Sequence, residues 1–160
     1  MLSECCSVTE VKENNLEHCP RCGSKGRTVS LATVGSMAKT DVEALKLSAR
    51  EYKLCHNWDC PVVYYAAEIS IERNELRVPV NFKEKSYEGP VCYCFNHTIA
   101  SIRGEIESRG HSTASEKIAR EVKAGRCACE VKNPAGTCCL GDVLRAVQQV
   151  SAASGEKTLR

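Results

Sequence analysis

The chain has 160 residues, enough for one ordinary domain or two very small ones. Its 22 Lys and Arg nearly balance 20 Asp and Glu, and a net charge of +2 excludes the basic excess of a dedicated nucleic-acid or membrane-surface binder. No run reaches the roughly 18 apolar residues of a membrane-spanning helix, which leaves twelve cysteines as the compositional anomaly.

Residues 1–17 are polar and without periodicity, and read as a mobile arm. Met1-Leu2-Ser3-Glu4-Cys5-Cys6 has no basic n-region and no apolar stretch, so a cytoplasmic location is expected. Disulfides rarely persist in a reducing cytosol, and clustered cysteines there more often hold metal. Residues 18–88 read as a β-rich unit. Thr28 to Val34 is β-prone, Asp41 to Ala49 suits a short helix, and Tyr52 to Cys55 and Pro61 to Ile71 are strand-like in their Tyr, Val and Ile. Arg77 to Phe82 reads as a further strand, with Pro79 confining it to an edge or a strand start. Lys83 to Pro90 is a charged linker ending Gly-Pro.

From residue 89 the period changes to helical. Ile99, Ile102 and Ile106 share one face, with Gly110 as the stop. Thr113-Ala114-Ser115-Glu116 is a capping-box sequence ahead of Ile118 and Val122, and Gly125 ends that helix. Val143, Leu144, Val147 and Val150 line a third helix with Asp142 as its N-cap, and 151–160 reads as a frayed tail. One Trp, five Tyr and two Phe, eight aromatics in all, lie between Tyr52 and Phe95. From Asn96 onward there are none, so the unit over 89–150 is too small to rely on its core alone, and its six cysteines are the expected staple. The expected class is α+β: a zinc-ribbon-like β region followed by a short-helix, cofactor-bound region.

Cys19-Pro20-Arg21-Cys22-Gly23 is a zinc-knuckle sequence, in which two thiolates grip one ion while backbone N–H groups of the turn face the sulfurs. A structural zinc needs four ligands, and Cys55 and Cys60 form the nearest second pair. Rubredoxin-type iron would use the same sulfurs, and His56 is an alternative ligand beside Cys55. Farther on, Cys92-Tyr93-Cys94 precedes the helix pair, and Cys127, Cys129, Cys138 and Cys139 follow it. A 2Fe–2S cluster needs four thiolates, two per iron, and these six cysteines supply candidates. Residues i and i+2 of an extended segment face opposite sides, so Cys127 and Cys129 are not both expected at one cluster.

Val91-Cys92-Tyr93-Cys94-Phe95-Asn96-His97-Thr98, followed by Ala124-Gly125-Arg126-Cys127, resembles the bacterioferritin-associated-ferredoxin type of 2Fe–2S domain. The longer run from Cys127 to Asp142 departs from that family's Cys-x-x-Cys. With the Cys19 knuckle, Cys55 and Cys60, it resembles the N-terminal domain of CopZ-type copper chaperones over about residues 17–150. The resemblance implies one zinc and one 2Fe–2S cluster in a cytosolic metallochaperone. By the family interval Cys127 is the third cluster ligand after Cys92 and Cys94, and Cys139 the fourth; Cys129 and Cys138 stay as alternates. Whole CopZ-type chaperones also carry a Met-x-Cys-x-x-Cys copper loop, and neither Met1 nor Met37 precedes such a motif.

Four thiols remain outside these two sets, among them Cys5 and Cys6, an adjacent pair suited to Cu(I) because thiolates select soft ions. The expected function is metallochaperone-like: electron transfer coupled to reduction of Cu(II) to Cu(I), with a copper-transporting ATPase or another heavy-metal-binding domain and a redox partner as counterparts. The alternative is a ferredoxin-like electron carrier or binding module for a partner enzyme with no copper role. Neither reading needs a protein acid or base, and an enzyme is disfavoured: His18, His56, His97 and His111 form no spaced catalytic set, and no cysteine has a base placed beside it by a motif.

Overall fold

The computed structural model describes residues 16–41, 51–67, 69–85 and 88–157. Cys5, Cys6 and nearly all of the helix expected over Asp41–Ala49 lie outside the described residues.

Strands β1 (Arg27–Val29), β2 (Tyr52–Leu54), β3 (Val62–Ala66) and β4 (Ile69–Glu72) form an antiparallel sheet in that order. Its register pairs Thr28 with Lys53, Leu54 with Tyr64 and Tyr65 with Ser70. Every residue of β3 is buried, so this strand has both faces covered. Val63, Tyr64 and Ala66 join the main core, whereas Val62 and Tyr65 pack against Cys19, Cys55 and Cys60. A register irregularity between Val62 and Tyr64 allows this division.

Two segments depart from the sequence expectation. Of the β-prone run Thr28 to Val34, only its start is strand; Ser30 then caps helix α1 (Leu31–Met37), its hydroxyl accepting from the Thr33 N–H at 3.1 Å. Burial of Val34 and Met37 against the sheet outweighs the local β preference of Thr33 and Val34. The strand expected over Arg77 to Phe82 is absent. Pro79 has no N–H to give to a ladder, the segment bends, and a 3₁₀ turn forms at Asn81–Lys83.

The second region begins with a hairpin, β5 (Pro90–Cys92) and β6 (His97–Thr98), whose turn holds Asn96 at φ 54°. Asn tolerates that left-handed conformation better than most residues. Helices α2 (Ile99–Arg109), α3 (Ala114–Lys123), α4 (Cys129–Lys132) and α5 (Leu140–Lys157) follow. Ile102, Ile106, Ile118, Val143, Ala146 and Val150 close their core, and burying each Ile stabilises it by about 1.5–3 kcal/mol. Gly110 ends α2 at φ 77°. Helix α5 starts before the expected cap, leaving Asp142 in its first turn paired with Arg145, and the expected tail stays helical to Lys157. Among the described residues no helix is long and apolar enough to cross a membrane.

Helix α4 and the loop after it dock on the sheet region. Tyr64 Oη donates to the Pro134 carbonyl at 2.6 Å, the Arg27 guanidinium to the Ala135 carbonyl at 2.7 Å, and Thr33 Oγ1 to the Glu130 carbonyl at 2.7 Å. Gly136 lies at φ +67°, and a Cβ there would stand 2.7 Å from Thr33 Oγ1, so only glycine lets the loop approach α1 this closely.

Candidate metal centres

The knuckle is built by its backbone. Cys19 N–H donates to the Ser24 carbonyl at 2.9 Å and Gly23 N–H to the Cys19 carbonyl at 2.8 Å, with Gly23 at φ +69°. Across from it, Cys55 leaves β2 still tied to the sheet, its N–H donating to the Val63 carbonyl at 2.9 Å, and Cys60 stands just before β3 with its N–H on the Asn57 carbonyl at 3.2 Å. Two turns thus aim four sulfurs at one point. Cys19 and Cys60 sulfurs are 3.9 Å apart, Cys22 and Cys55 sulfurs 3.6 Å, and all four lie within 4.8 Å of one another. Four sulfurs about 2.3 Å from one tetrahedral zinc would be about 3.8 Å apart, so the donor set fits that ion as it stands.

The electrostatics point the same way. Burial pushes the Cys55 thiol up to about 12 and raises Cys60 as well. Burial also opposes ionisation of Cys22, but hydrogen bonds from the Ser24 side chain and backbone and from neighbouring thiols outweigh it and bring Cys22 down to about 6. One thiolate forms readily here, and four need a cation in their midst. His56 is not part of the set; its ring lies against Phe82, centroids 5.0 Å apart, and burial keeps it neutral by lowering its pKa.

The second group is arranged as two pairs. Cys92 ends β5 and Cys94 stands in the hairpin turn; Cys129 opens α4, and Cys139 immediately precedes α5. The sulfurs of Cys94 and Cys129 are 3.5 Å apart, and Ala128 N–H donates to Cys94 Sγ at 3.3 Å. Cys92 and Cys139 are buried in one core cluster, where the Cys139 thiol holds Cys92 down to about 6 and the Cys92 neighbour, with burial, raises Cys139. Burial pushes Cys129 up to about 12. His97 stands opposite Cys92 across the hairpin, with its pKa lowered by burial.

Of the sequence candidates, then, the structure gathers Cys92, Cys94 and Cys139 with Cys129, the alternate, against Cys94. Cys127 is half-buried two residues earlier, and Cys138 is exposed on a cavity of about 340 Å³ shared with Arg27, His56 and Arg145. Helix α4 distinguishes the two cysteines: its start at Cys129 turns that side chain inward, where the extended backbone expected from sequence favours neither. Among the described residues, only the first group places three or more ligand atoms all within 4.8 Å of one another. The second is spread over two pairs, a donor set suited to two metal atoms with two thiolates each.

The comparisons bear on both regions. A family model described as a zinc binding domain, zf_CopZ, matches residues 16–77, the segment that carries all four sulfurs of the first centre. The chain is similar to the N-terminal domain of Archaeoglobus fulgidus CopZ, solved by X-ray crystallography, at 30% identity and a TM-score of 0.65 over 80% of this chain and 95% of that one. No curated protein matches the chain.

Proposed function

The chain belongs to the family of the CopZ N-terminal domain, and from that premise we propose that it is a metal-handling, chaperone-like protein with two thiolate centres. Zinc is held by Cys19, Cys22, Cys55 and Cys60 and closes the β region as a structural ion, leaving no open coordination position for chemistry. The observation that carries this reading is the four-sulfur nest, with pair separations of 3.6 and 3.9 Å.

The second centre is a 2Fe–2S site that Cys92, Cys94, Cys129 and Cys139 would hold. The 3.5 Å separation of the Cys94 and Cys129 sulfurs and the burial of Cys92 and Cys139 in one cluster support it, as does the resemblance of the Cys92 hairpin to 2Fe–2S domains. A 2Fe–2S cluster supplies single-electron transfer when bound, the chemistry that converts Cu(II) to the Cu(I) that thiols prefer. The chain's own residues hold the site dry: Cys92 and Cys139 are buried among Val91, Ile102 and Val143, and the Ala128 N–H offsets thiolate charge at Cys94. Copper is the cargo, handled in the cytoplasm, and a heavy-metal-binding domain or copper-transporting ATPase receives it while a redox partner supplies electrons.

Metal analysis and spectroscopy of the anaerobically purified protein test both centres. One zinc and two irons per chain, with visible absorption and a paramagnetic signal on reduction, are expected. A colourless protein with two zincs would make both centres structural and overturn the redox reading. One observation favours a second reading, an electron carrier without a copper role: these 160 residues hold no Met-x-Cys-x-x-Cys loop. Titration with Cu(I) against a competing chelator separates the two, since a stoichiometric, tightly held ion is expected only of the copper-handling protein.

A further inference from the structure

We propose that Lys83 is the built-in counter-cation of the zinc–thiolate centre, an outer-shell positioning residue that sets how tightly the ion is held; the proposal rests on the zinc reading given above. Lys83 is 1% exposed, among the most buried side chains of the molecule. An ammonium ion taken from water at that depth costs several kcal/mol unless charge of opposite sign is near. Ion pairs within 4.0 Å among the described residues involve Lys25, Lys53, Arg103, Lys117, Arg126 and Arg145, and none involves Lys83.

What Lys83 does meet is the zinc loop. Its Nζ donates to the Asn57 carbonyl at 2.8 Å, and that same oxygen accepts the Cys60 N–H at 3.2 Å. Asn57 belongs to the short segment between Cys55 and Cys60, so one carbonyl ties the ammonium to a ligand's backbone. The stem is fixed from its own side by the 3₁₀ turn, where Lys83 N–H donates to the Val80 carbonyl at 3.0 Å and Arg73 reaches the Lys83 carbonyl at 3.3 Å.

The charge balance gives this arrangement its purpose. Four thiolates around one Zn²⁺ carry a net charge of two minus, in a pocket where Cys19, Cys55 and Cys60 are all buried. A buried ammonium at its edge removes half of that excess. With the thiols protonated and no ion bound, the same ammonium would face no paired anion among the described residues. Zinc and Lys83 therefore stabilise each other, and outer-shell partners of this kind typically change metal affinity by about 10–100-fold.

The test compares full-length Lys83→Met, Lys83→Gln and Lys83→Arg with the parent, by zinc retention against a graded chelator and by the thiolate-to-metal charge-transfer bands of the Co(II)-substituted proteins. Met keeps the stem without charge, Gln keeps a donor for Asn57 without charge, and Arg keeps the charge. Zinc held about 10–100-fold more weakly in Met and Gln, with Arg close to the parent, is expected. If Met does not fold, the contrast between Gln and Arg decides. Parent-like retention in Gln would overturn the proposal by showing that a hydrogen bond suffices, and equal loss in all three would overturn it by showing that shape, not charge, matters. A parent protein that binds no zinc would instead defeat the zinc reading itself, and this proposal with it.

Discussion

Cys127 and Cys129 differ by two positions and meet different surroundings: the first is half-buried beside a turn, while the second is buried with its sulfur 3.5 Å from Cys94. If the second centre holds the proposed 2Fe–2S cluster, replacing Cys129 by Ser removes one of two sulfurs at that pair and is expected to abolish visible absorption, whereas Cys127→Ser is expected to keep it. Equal bleaching of both variants would return Cys127 to the ligand set. The knuckle cysteines were legible because their spacing is local: two residues between Cys19 and Cys22, with a glycine after, define a turn whatever the rest of the fold does. Cys129 was not, because its inward orientation depends on α4, and four residues of helix leave no periodic trace in a sequence.

At the scale of elements, the join between α2 and α3 depends on Glu105. Its Oε2 accepts the Ser112 hydroxyl at 2.7 Å and the Thr113 N–H at 2.9 Å, and its Oε1 accepts the Lys117 ammonium at 2.9 Å. Thr113, which the sequence marks as a self-capping residue, makes no side-chain cap bond; a carboxylate from the previous helix does that work and suits the positive end of α3. Hydrogen bonds from Ser112 and Lys117 hold the Glu105 carboxyl down to about 2, below its ordinary 4.5. A depressed folded-state pKa contributes stability that is complete above 4.5 and disappears as pH falls toward 2. Glu105→Gln is therefore expected to lower stability at neutral pH by about 1–2 kcal/mol after solvent screening. Urea midpoints of the two proteins should converge as pH falls through that window; a constant gap would assign the loss to geometry rather than charge. Helix α2 itself was readable from Ile99, Ile102, Ile106 and the Gly110 stop, since period and terminator lie within one segment. The bend at Arg77 to Phe82 was not, because Val78, Val80 and Phe82 in alternation describe a strand edge equally well, and what turns the chain is Pro79, without an N–H for a ladder, followed by the 3₁₀ turn at Asn81–Lys83.

Across the whole molecule, the sheet region and the helical region meet at α4 with the loop after it, and again where Tyr93 Oη donates to the Pro79 carbonyl at 2.7 Å. Gly136→Ala would push a Cβ to 2.7 Å from Thr33 Oγ1 at a backbone φ of +67°, and a loss of about 1–3 kcal/mol is expected. Since Cys139 lies three residues on, thermal melts followed at visible and far-ultraviolet wavelengths should shift together, although no cysteine is changed. The same contact makes zinc removal a long-range event. Strand β3 carries Val62 and Tyr65 against the zinc cysteines and Tyr64 toward the docked loop, with Tyr64 Oη on the Pro134 carbonyl at 2.6 Å. Structural zinc binding is folding free energy, so chelation withdraws support from β3 and, through Tyr64, from the loop between α4 and Cys139. Hydrogen exchange read by mass spectrometry is expected to show lost protection at residues 55–66 on chelation and a smaller loss at 129–137. The region beyond Asn96 alone would not explain that second loss, because none of its residues belongs to the zinc set. Unchanged protection over 129–137 would mean that the helical region holds the loop without help from the sheet, and that the two centres share a chain but not their stability.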